Sequence, residues 1–456
     1  MTTLRLAVVG AGPAGIYAAD ILRKVERDFD VSIDIFDQLP APYGLVRYGV
    51  APDHPRIKGI ITALREVLDQ SSIRFFGNVR YGRDITLEDL RQHYHAVLFA
   101  TGAVRDADLD IPGIKLDGSF GAAEFVSWFD GHPDVGRDWP LEAREIAVIG
   151  NGNVALDVAR MLVKHVDDLL PTEIPENVYQ GLKRNPVTDV HVFGRRGPAQ
   201  VKFTPLELRE LGELRDVDIV LYDEDFNYDE ASRGAIADNK QVMVIDRVLN
   251  QWRSREIGAA SRRLHLHFYA KPLEVVGESG RVAGFRWERT EPDGEGGVRG
   301  TGEIRELPIQ AIYRAVGYFG SPLDEIPFDE HRGVIPNIEG RVLPPASDDS
   351  HAHVFLPGVY VTGWIKRGPV GLIGHTKSDA MQTIGHLIDD QASWWTPAHP
   401  EEGAVTALLE SRGVHYTTIA GWHRLDQHEL GLGEAAGRAR IKVVPRDEMV
   451  GISRGD

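Results

Sequence analysis

Leu4 to Val9 forms a compact apolar run that predicts a buried strand. Small apolar residues from Ala14 to Leu22 suit a helix packed closely on a sheet. Val31–Asp37 alternates Val, Ile, Ile and Phe with polar residues and predicts the second strand. Together they make a βαβ unit with glycines at its first turn. A Pro/Gly-rich loop runs from Leu39 to Asp53. From His54 onward Ile57, Ile60, Ile61, Leu64, Val67 and Leu68 recur at helical spacing. Arg74–Phe76 and Ala96–Ala100 are the next predicted strands, the latter leading into Thr101-Gly102.

The pattern then repeats. Glu145–Ile149 reads as a strand, Val154–Val163 as the helix behind it and Asp189–Phe193 as the next strand. The stretch from Lys164 to Thr188 is long for a plain connection and predicts a helical excursion. Ile312–Gly317 reads as the last strand of this block. Gly358–Thr362 is a buried-type strand and Gly371–Ile388 a helix. The tail from Trp394 predicts short helical pieces. The expected fold is α/β, with two Rossmann-like dinucleotide-binding domains. Residues 106–321 are expected to form one of these domains, inserted into the other, of residues 1–105 and 322–456.

At 456 residues the chain has room for two or more domains with real cores. The net charge of −17 disfavours nucleic acid as a partner and repels acidic partners at long range. No cysteine is present, which removes disulfides, thiolate metal sites and the redox disulfide of the pyridine-nucleotide disulfide reductases. No metal is expected. The immediate start of the first strand and the lack of a long apolar run point to the cytoplasm.

Two fingerprints carry the chemistry. In Gly10-Ala11-Gly12-Pro13-Ala14-Gly15, Gly10 permits the tight turn and Gly12 lets a phosphate approach the backbone. Gly15 allows close helix packing. The helix N-terminus then faces a pyrophosphate. Asp37 follows where a carboxylate accepts ribose hydroxyls, which indicates FAD. The second fingerprint is Gly150-Asn151-Gly152-Asn153-Val154-Ala155. Arg195-Arg196 follows its next strand, where guanidiniums bind a 2′-phosphate that an acid would repel. That indicates NADPH.

Other positions have structural readings of their own. Thr204-Pro205-Leu206-Glu207 is a capping box with Pro at N1, and Glu210 shares a face with Glu207. Asp53 reads as the N-cap before His54-Pro55. Gly363 to Gly374 is a glycine-rich loop entering a helix, whose N–H groups can face a reduced flavin. Trp364 there suits either core or an apolar wall beside the flavin.

Five segments closely resemble the adrenodoxin reductase family of FAD-containing NADPH–ferredoxin reductases. They are PYGLVRYGVAPDHP (42–55), NGNVALDVAR (151–160), GRRGP (194–198), FTPLELRE (203–210) and GWIKRGPVG (363–371). The resemblance implies FAD contacts for Ala14, Asp37, Leu45, Tyr81, Trp364 and Gly371, Leu372 and Ile373. It implies NADPH contacts for Asn151, Gly152, Asn153, Val154, Arg195, Arg196, Glu207 and Gly371. Arg105, at the domain crossover, fits a family arginine. His54 and Glu210 are implied near the nicotinamide–flavin contact, as an acid–base or hydrogen-bonding pair. The family often carries Glu where this chain has Asp37, a shorter reach to the same hydroxyls.

The expected activity is NADPH:ferredoxin oxidoreduction, with an acidic iron–sulfur ferredoxin as partner. Lys202, Arg209 and Arg215 are candidates for a local basic patch that overrides the net charge. The competing readings are an NADPH diaphorase or flavin monooxygenase, and a non-enzymatic nucleotide redox sensor.

Overall fold

A computed structural model describes residues 3–345, 355–370 and 373–455. The chain divides into two compact units. One takes in Met1–Arg105, Asp130–Asp134 and Tyr318–Asp456, the other Asp106–Phe129 and Val135–Gly317.

In the first unit β1 (Thr3–Val9), α1 (Pro13–Lys24) and β2 (Asp30–Phe36) form the opening βαβ element. β3 (Ile73–Phe76) and β4 (Ala96–Phe99) flank it, and the strand Val359–Val361 extends the sheet beyond β4. These five strands are parallel, and the short pair Asn337–Ile338 and Arg341–Val342 closes one edge antiparallel. Leu4, Leu6 and Val8 pack on one face with Ile16, Ala19 and Leu22 of α1. Ala7 and Val9 pack on the other with Phe36, Phe76 and Phe99. Both faces are covered, which is why β1 reads as an almost unbroken apolar run.

The Leu39–Asp53 loop contains a single turn, α2 (Leu45–Tyr48). The helix expected after His54 forms in two pieces, α3 (Pro55–Lys58) and α4 (Ile60–Leu68), which meet at Gly59. The tail is more helical than its sequence suggests. It holds Glu402–Ser411, the 17-residue Ile419–Ala435 and Arg446–Arg454.

The second unit repeats the plan with β5 (Glu145–Ile149), α5 (Asn153–Val163) and β6 (Asp189–Phe193). α6 (Pro205–Leu211), β7 (Val217–Val220) and β8 (Arg262–His267) follow. The sheet order is Ser119–Gly121, Ala311–Arg314, β5, β6, β8, β7, all parallel. The excursion after Lys164 is a 3-10 turn, Val166–Leu169, and a helix, Glu176–Lys183. A three-stranded antiparallel sheet of Ala270–Glu278, Arg281–Pro292 and Val298–Pro308 was not legible as such. Its Phe285 and Trp287 pack on Ile149 and Phe193 of the parallel sheet.

Candidate dinucleotide sites

The first turn of the first unit is built by exclusion. A Cβ on Gly10, at φ +115°, would lie 2.4 Å from the Ala100 carbonyl oxygen. One on Gly15 would lie 2.1 Å from the Gly10 carbonyl oxygen and 3.0 Å from Val8 Cγ1. Gly12 differs: a Cβ there would have Gly44 Cα as its nearest neighbour, at 4.0 Å, and Gly12 caps α1 with no side-chain bond. Helices elsewhere are closed by Thr86, Asp229, Asn239 and Thr418, whose side chains accept first-turn N–H groups. The α1 N-terminus keeps its orphan donors available to an anion.

Two other segments converge there. The Tyr43 N–H donates to the Ala11 carbonyl at 2.8 Å. Gly44, at φ +48°, brings the start of α2 and Leu45 over Gly12. A Cβ on Gly363 would stand 2.6 Å from Ala14 Cβ, so the turn before the half-buried Trp364 also packs on α1. Asp37 directly follows β2. Its Oδ2 accepts the Ala11 N–H and its Oδ1 the Leu39 N–H, both at 2.8 Å. Burial pushes the Asp37 carboxyl up to about 6, against those two bonds and the positive charge of Arg446.

The remaining expected residues are more dispersed. Tyr81 packs edge-on against Phe99 at 5.1 Å and donates to the Asp324 carbonyl at 2.9 Å. Arg105 is exposed and lies 3.7 Å from Glu330. Gly371 and Leu372 fall outside the described residues. Ile373 opens the helix Ile373–Asp389, but its side chain is not described.

His54 is buried and itself holds the N-cap position of α3, without a side-chain cap bond. The expected Asp53 cap is thereby corrected. The helix starts at Pro55, so the last non-helical residue is one position later than the sequence suggested.

A buried charge network beneath α2 left no mark in the sequence. The Arg47 guanidinium donates to both Glu429 oxygens, at 3.0 and 2.5 Å. Lys442 donates to the Arg47 carbonyl at 2.8 Å, and Lys58 to the Val46 carbonyl at 3.2 Å. Both lysines lie 3.7 Å from Asp130. Partners hundreds of residues apart carry no local pattern.

In the second unit a Cβ on Gly150, at φ +140°, would meet the Ala315 carbonyl oxygen at 2.2 Å. A Cβ on Gly152 would meet nothing within 4 Å among the described residues beyond its chain neighbours, and α5 also starts without a side-chain cap. The fingerprint asparagines hold the next loop. A Cβ on Gly194 would sit 3.2 Å from Asn151, the Lys202 N–H donates to the Asn151 carbonyl at 3.0 Å, and the Thr204 N–H donates to Asn153 Oδ1 at 2.9 Å. Arg195 and Arg196 follow β6 by two residues. Both are exposed, and neither pairs with an acid among the described residues. Their backbone is pinned: the Arg195 carbonyl accepts from Thr290 Oγ1, and the Arg196 carbonyl from the Tyr269 N–H.

Half of the expected capping box is present. Thr204 Oγ1 accepts the Glu207 N–H at 3.3 Å. The Thr204 N–H is already given to Asn153, so the Glu207 carboxylate does not return to it. It lies instead 3.9 Å from the buried Arg160 guanidinium, which also meets Glu210 at 3.5 Å and Asp157 at 2.7 Å. Arg160 was missed. The signal was there in Asp157 and Arg160, three apart on α5. Lys202, Arg209 and Arg215 are all exposed, but Arg215 is engaged by Asp168 at 3.1 Å.

Known proteins share this arrangement over the whole chain. A family profile described as pyridine nucleotide-disulphide oxidoreductase matches residues 4–180. NADPH-ferredoxin reductase FprA of Mycobacterium tuberculosis is 39% identical over 470 residues, spanning 99% of each chain. The chain belongs to the family of NADPH-ferredoxin and adrenodoxin reductases. The mitochondrial NADPH:adrenodoxin oxidoreductase of Arabidopsis thaliana, another member, is 36% identical over 461 residues, 98% of this chain and 95% of that one. The solved structure of Mycobacterium tuberculosis FprA in complex with NADPH matches at a TM-score of 0.90 and 38% identity. It covers 99% of this chain and 100% of that one. As in the sequence reading, the family fold is α/β with two Rossmann-like domains. Among the described residues no helix is long and apolar enough to cross a membrane.

Proposed function

We propose that the first unit holds FAD, the second holds NADPH, and the enzyme passes electrons from NADPH to an acidic iron–sulfur ferredoxin. The observation that carries this reading is the contrast between two uncapped helix N-termini. The α1 terminus is followed by Asp37, and the α5 terminus by the exposed Arg195 and Arg196. A carboxylate selects ribose hydroxyls, and two guanidiniums select a 2′-phosphate.

The residues present fit both groups. Gly12 and Gly152 leave open space at the helix ends, where a Cβ would stand between backbone and phosphate. Asp37 holds the adenosine ribose while its backbone bonds fix its orientation. Ala14, Leu45, Tyr81 and Trp364 form the wall of the flavin pocket. Asn151, Asn153 and Val154 line the second nucleotide, with Glu207 beyond them. Bound, the two cofactors supply a two-electron hydride donor and a flavin that can release electrons singly. His54 orients the reacting end and adjusts its proton balance together with Glu210. The Arg160 guanidinium fixes the Glu210 carboxylate.

A chain of charge −17 meets an acidic partner only through a local basic surface. Lys202 and Arg209 supply it, and Arg215 contributes less because Asp168 already neutralises it.

The test is anaerobic mixing with NADPH and oxidised ferredoxin while flavin and iron–sulfur absorbance are followed. Flavin bleaching followed by ferredoxin reduction is expected. Bleaching without ferredoxin reduction would reject the partner and leave the two nucleotide sites standing.

A further inference from the structure

Three histidines line one face of the second unit's parallel sheet. His191 lies on β6, and His265 and His267 lie two apart on β8. In the parallel register His265 pairs with His191 and His267 with Phe193, so all three imidazoles project to the same side. One ring nitrogen from each lies within 4.8 Å of the other two.

The carboxylates around them set the tautomers. His191 Nε2 is 3.2 Å from Glu145 Oε2, and His265 Nε2 is 3.0 Å from Asp189 Oδ1. An ionised carboxylate only accepts, so both Nε2 atoms carry the proton and both Nδ1 atoms present a lone pair. His191 Nδ1 stands 3.0 Å from His267 Nε2, and His265 Nδ1 accepts the Tyr222 hydroxyl at 2.9 Å. At His191 this is the outer-shell pattern of a histidine metal ligand, with a carboxylate on the far nitrogen and the near nitrogen facing His267.

We propose that His191, His265 and His267 bind a divalent transition-metal ion of the zinc, cobalt, nickel or copper class. Three neutral nitrogen donors suit these borderline ions and not magnesium or calcium, which take oxygen. A tetrahedral ion bound at about 2.05 Å needs nitrogens about 3.3 Å apart. The His191–His267 pair therefore opens by a few tenths of an ångström. The His265 ring, stacked 4.1 Å from His191, turns to bring Nδ1 in and exchanges the Tyr222 bond for the ion. Glu145 and Asp189, the acids at His191 and His265, also line an open cleft of about 520 Å³. A bound ion would tie β6 to β8, so it would act on the stability of this unit.

The test uses the untagged, full-length holoenzyme dialysed against buffered zinc, with bound metal measured by atomic absorption. One equivalent of zinc and a rise in unfolding temperature are expected. Copper loaded in its place should show nitrogen hyperfine coupling by electron paramagnetic resonance. His265→Asn should lower zinc affinity at least 100-fold with flavin content unchanged. Glu145→Gln, which spares every ligand and protects against misfolding of the first variant, should lower it about 10- to 100-fold. Substoichiometric zinc in the wild-type protein, or equal retention by both variants, would overturn the site.

Discussion

The carbonyl oxygen of Gly10 occupies the place a Cβ on Gly15 would need, 2.1 Å away. Gly12, between them in sequence, has no such neighbour. The glycines of one motif therefore serve different ends, and substitution separates them. Gly15→Ala pushes α1 off the sheet and should cost about 2–3 kcal/mol. Gly12→Ala has an ordinary backbone conformation and should change unfolding by less than about 1 kcal/mol while it blocks the pyrophosphate. Thermal unfolding of the nucleotide-free chain and flavin content after reconstitution distinguish the two. A Gly12→Ala protein that keeps its full flavin would refute the cradle.

The same logic makes Gly152→Ala fold normally and bind NADPH poorly. Replacing Arg195 and Arg196 by alanine should cost NADPH binding far more than NADH binding. Each charged hydrogen bond to a phosphate contributes about 1.5–3 kcal/mol, so losing two should shift the ratio of kcat/KM for the two nucleotides by at least about 100-fold. Equal losses for both nucleotides would remove the 2′-phosphate assignment.

His54 can be tested apart from flavin retention. His54→Ala should slow flavin reduction by NADPH in stopped-flow measurements and leave the bound flavin spectrum intact. Unchanged reduction kinetics would sink its role.

Arg160 is buried among three carboxylates, Asp157, Glu207 and Glu210. Arg160→Met strands their charge and should cost about 3–5 kcal/mol, because removing one partner of a buried ion cluster leaves the others uncompensated. Denaturant unfolding measures this. A loss below 1 kcal/mol would mean that solvent already screens the cluster.

What could be read in advance follows from how local the cause is. β1, α1, β2 and the corresponding β5, α5, β6 were legible because burial on both sheet faces demands apolar runs, and the turn between demands glycine. Asp37, next after β2, and Arg195-Arg196, just past β6, lie at the strand ends where the sequence put them, because a strand's end is a local feature. The Thr204 box was half right: its missing bond is set by Asn153, 51 residues away. Arg47 and Glu429, 382 apart, meet only through the fold. The antiparallel strands of residues 270–308 are partly exposed and rich in charge, so they carry no clear apolar signature.

The protonation state of Asp37 gives a pH dependence whose sign can be worked out. Without nucleotide, burial holds its carboxyl near 6, above the ordinary 3.8. The folded chain thus keeps a proton that the unfolded chain has released. Stability from this group declines as pH rises from about 3.8 to about 6 and levels off above. FAD binding runs the opposite way. Ribose hydroxyls donate to the ionised carboxylate, which has acceptor sites left beyond those taken by Ala11 and Leu39. Above pH 6 the affinity should be flat with respect to this group. Below it the proton must leave first, and affinity should fall by up to about tenfold per pH unit. Fluorescence titration of the nucleotide-free chain with FAD between pH 5 and 8 measures the slope. Asp37→Asn cannot ionise, so it should bind more weakly at pH 7.5 and lose the bend near 6. An identical bend in that variant would assign the titration to another group and leave Asp37 as a fixed part of the turn.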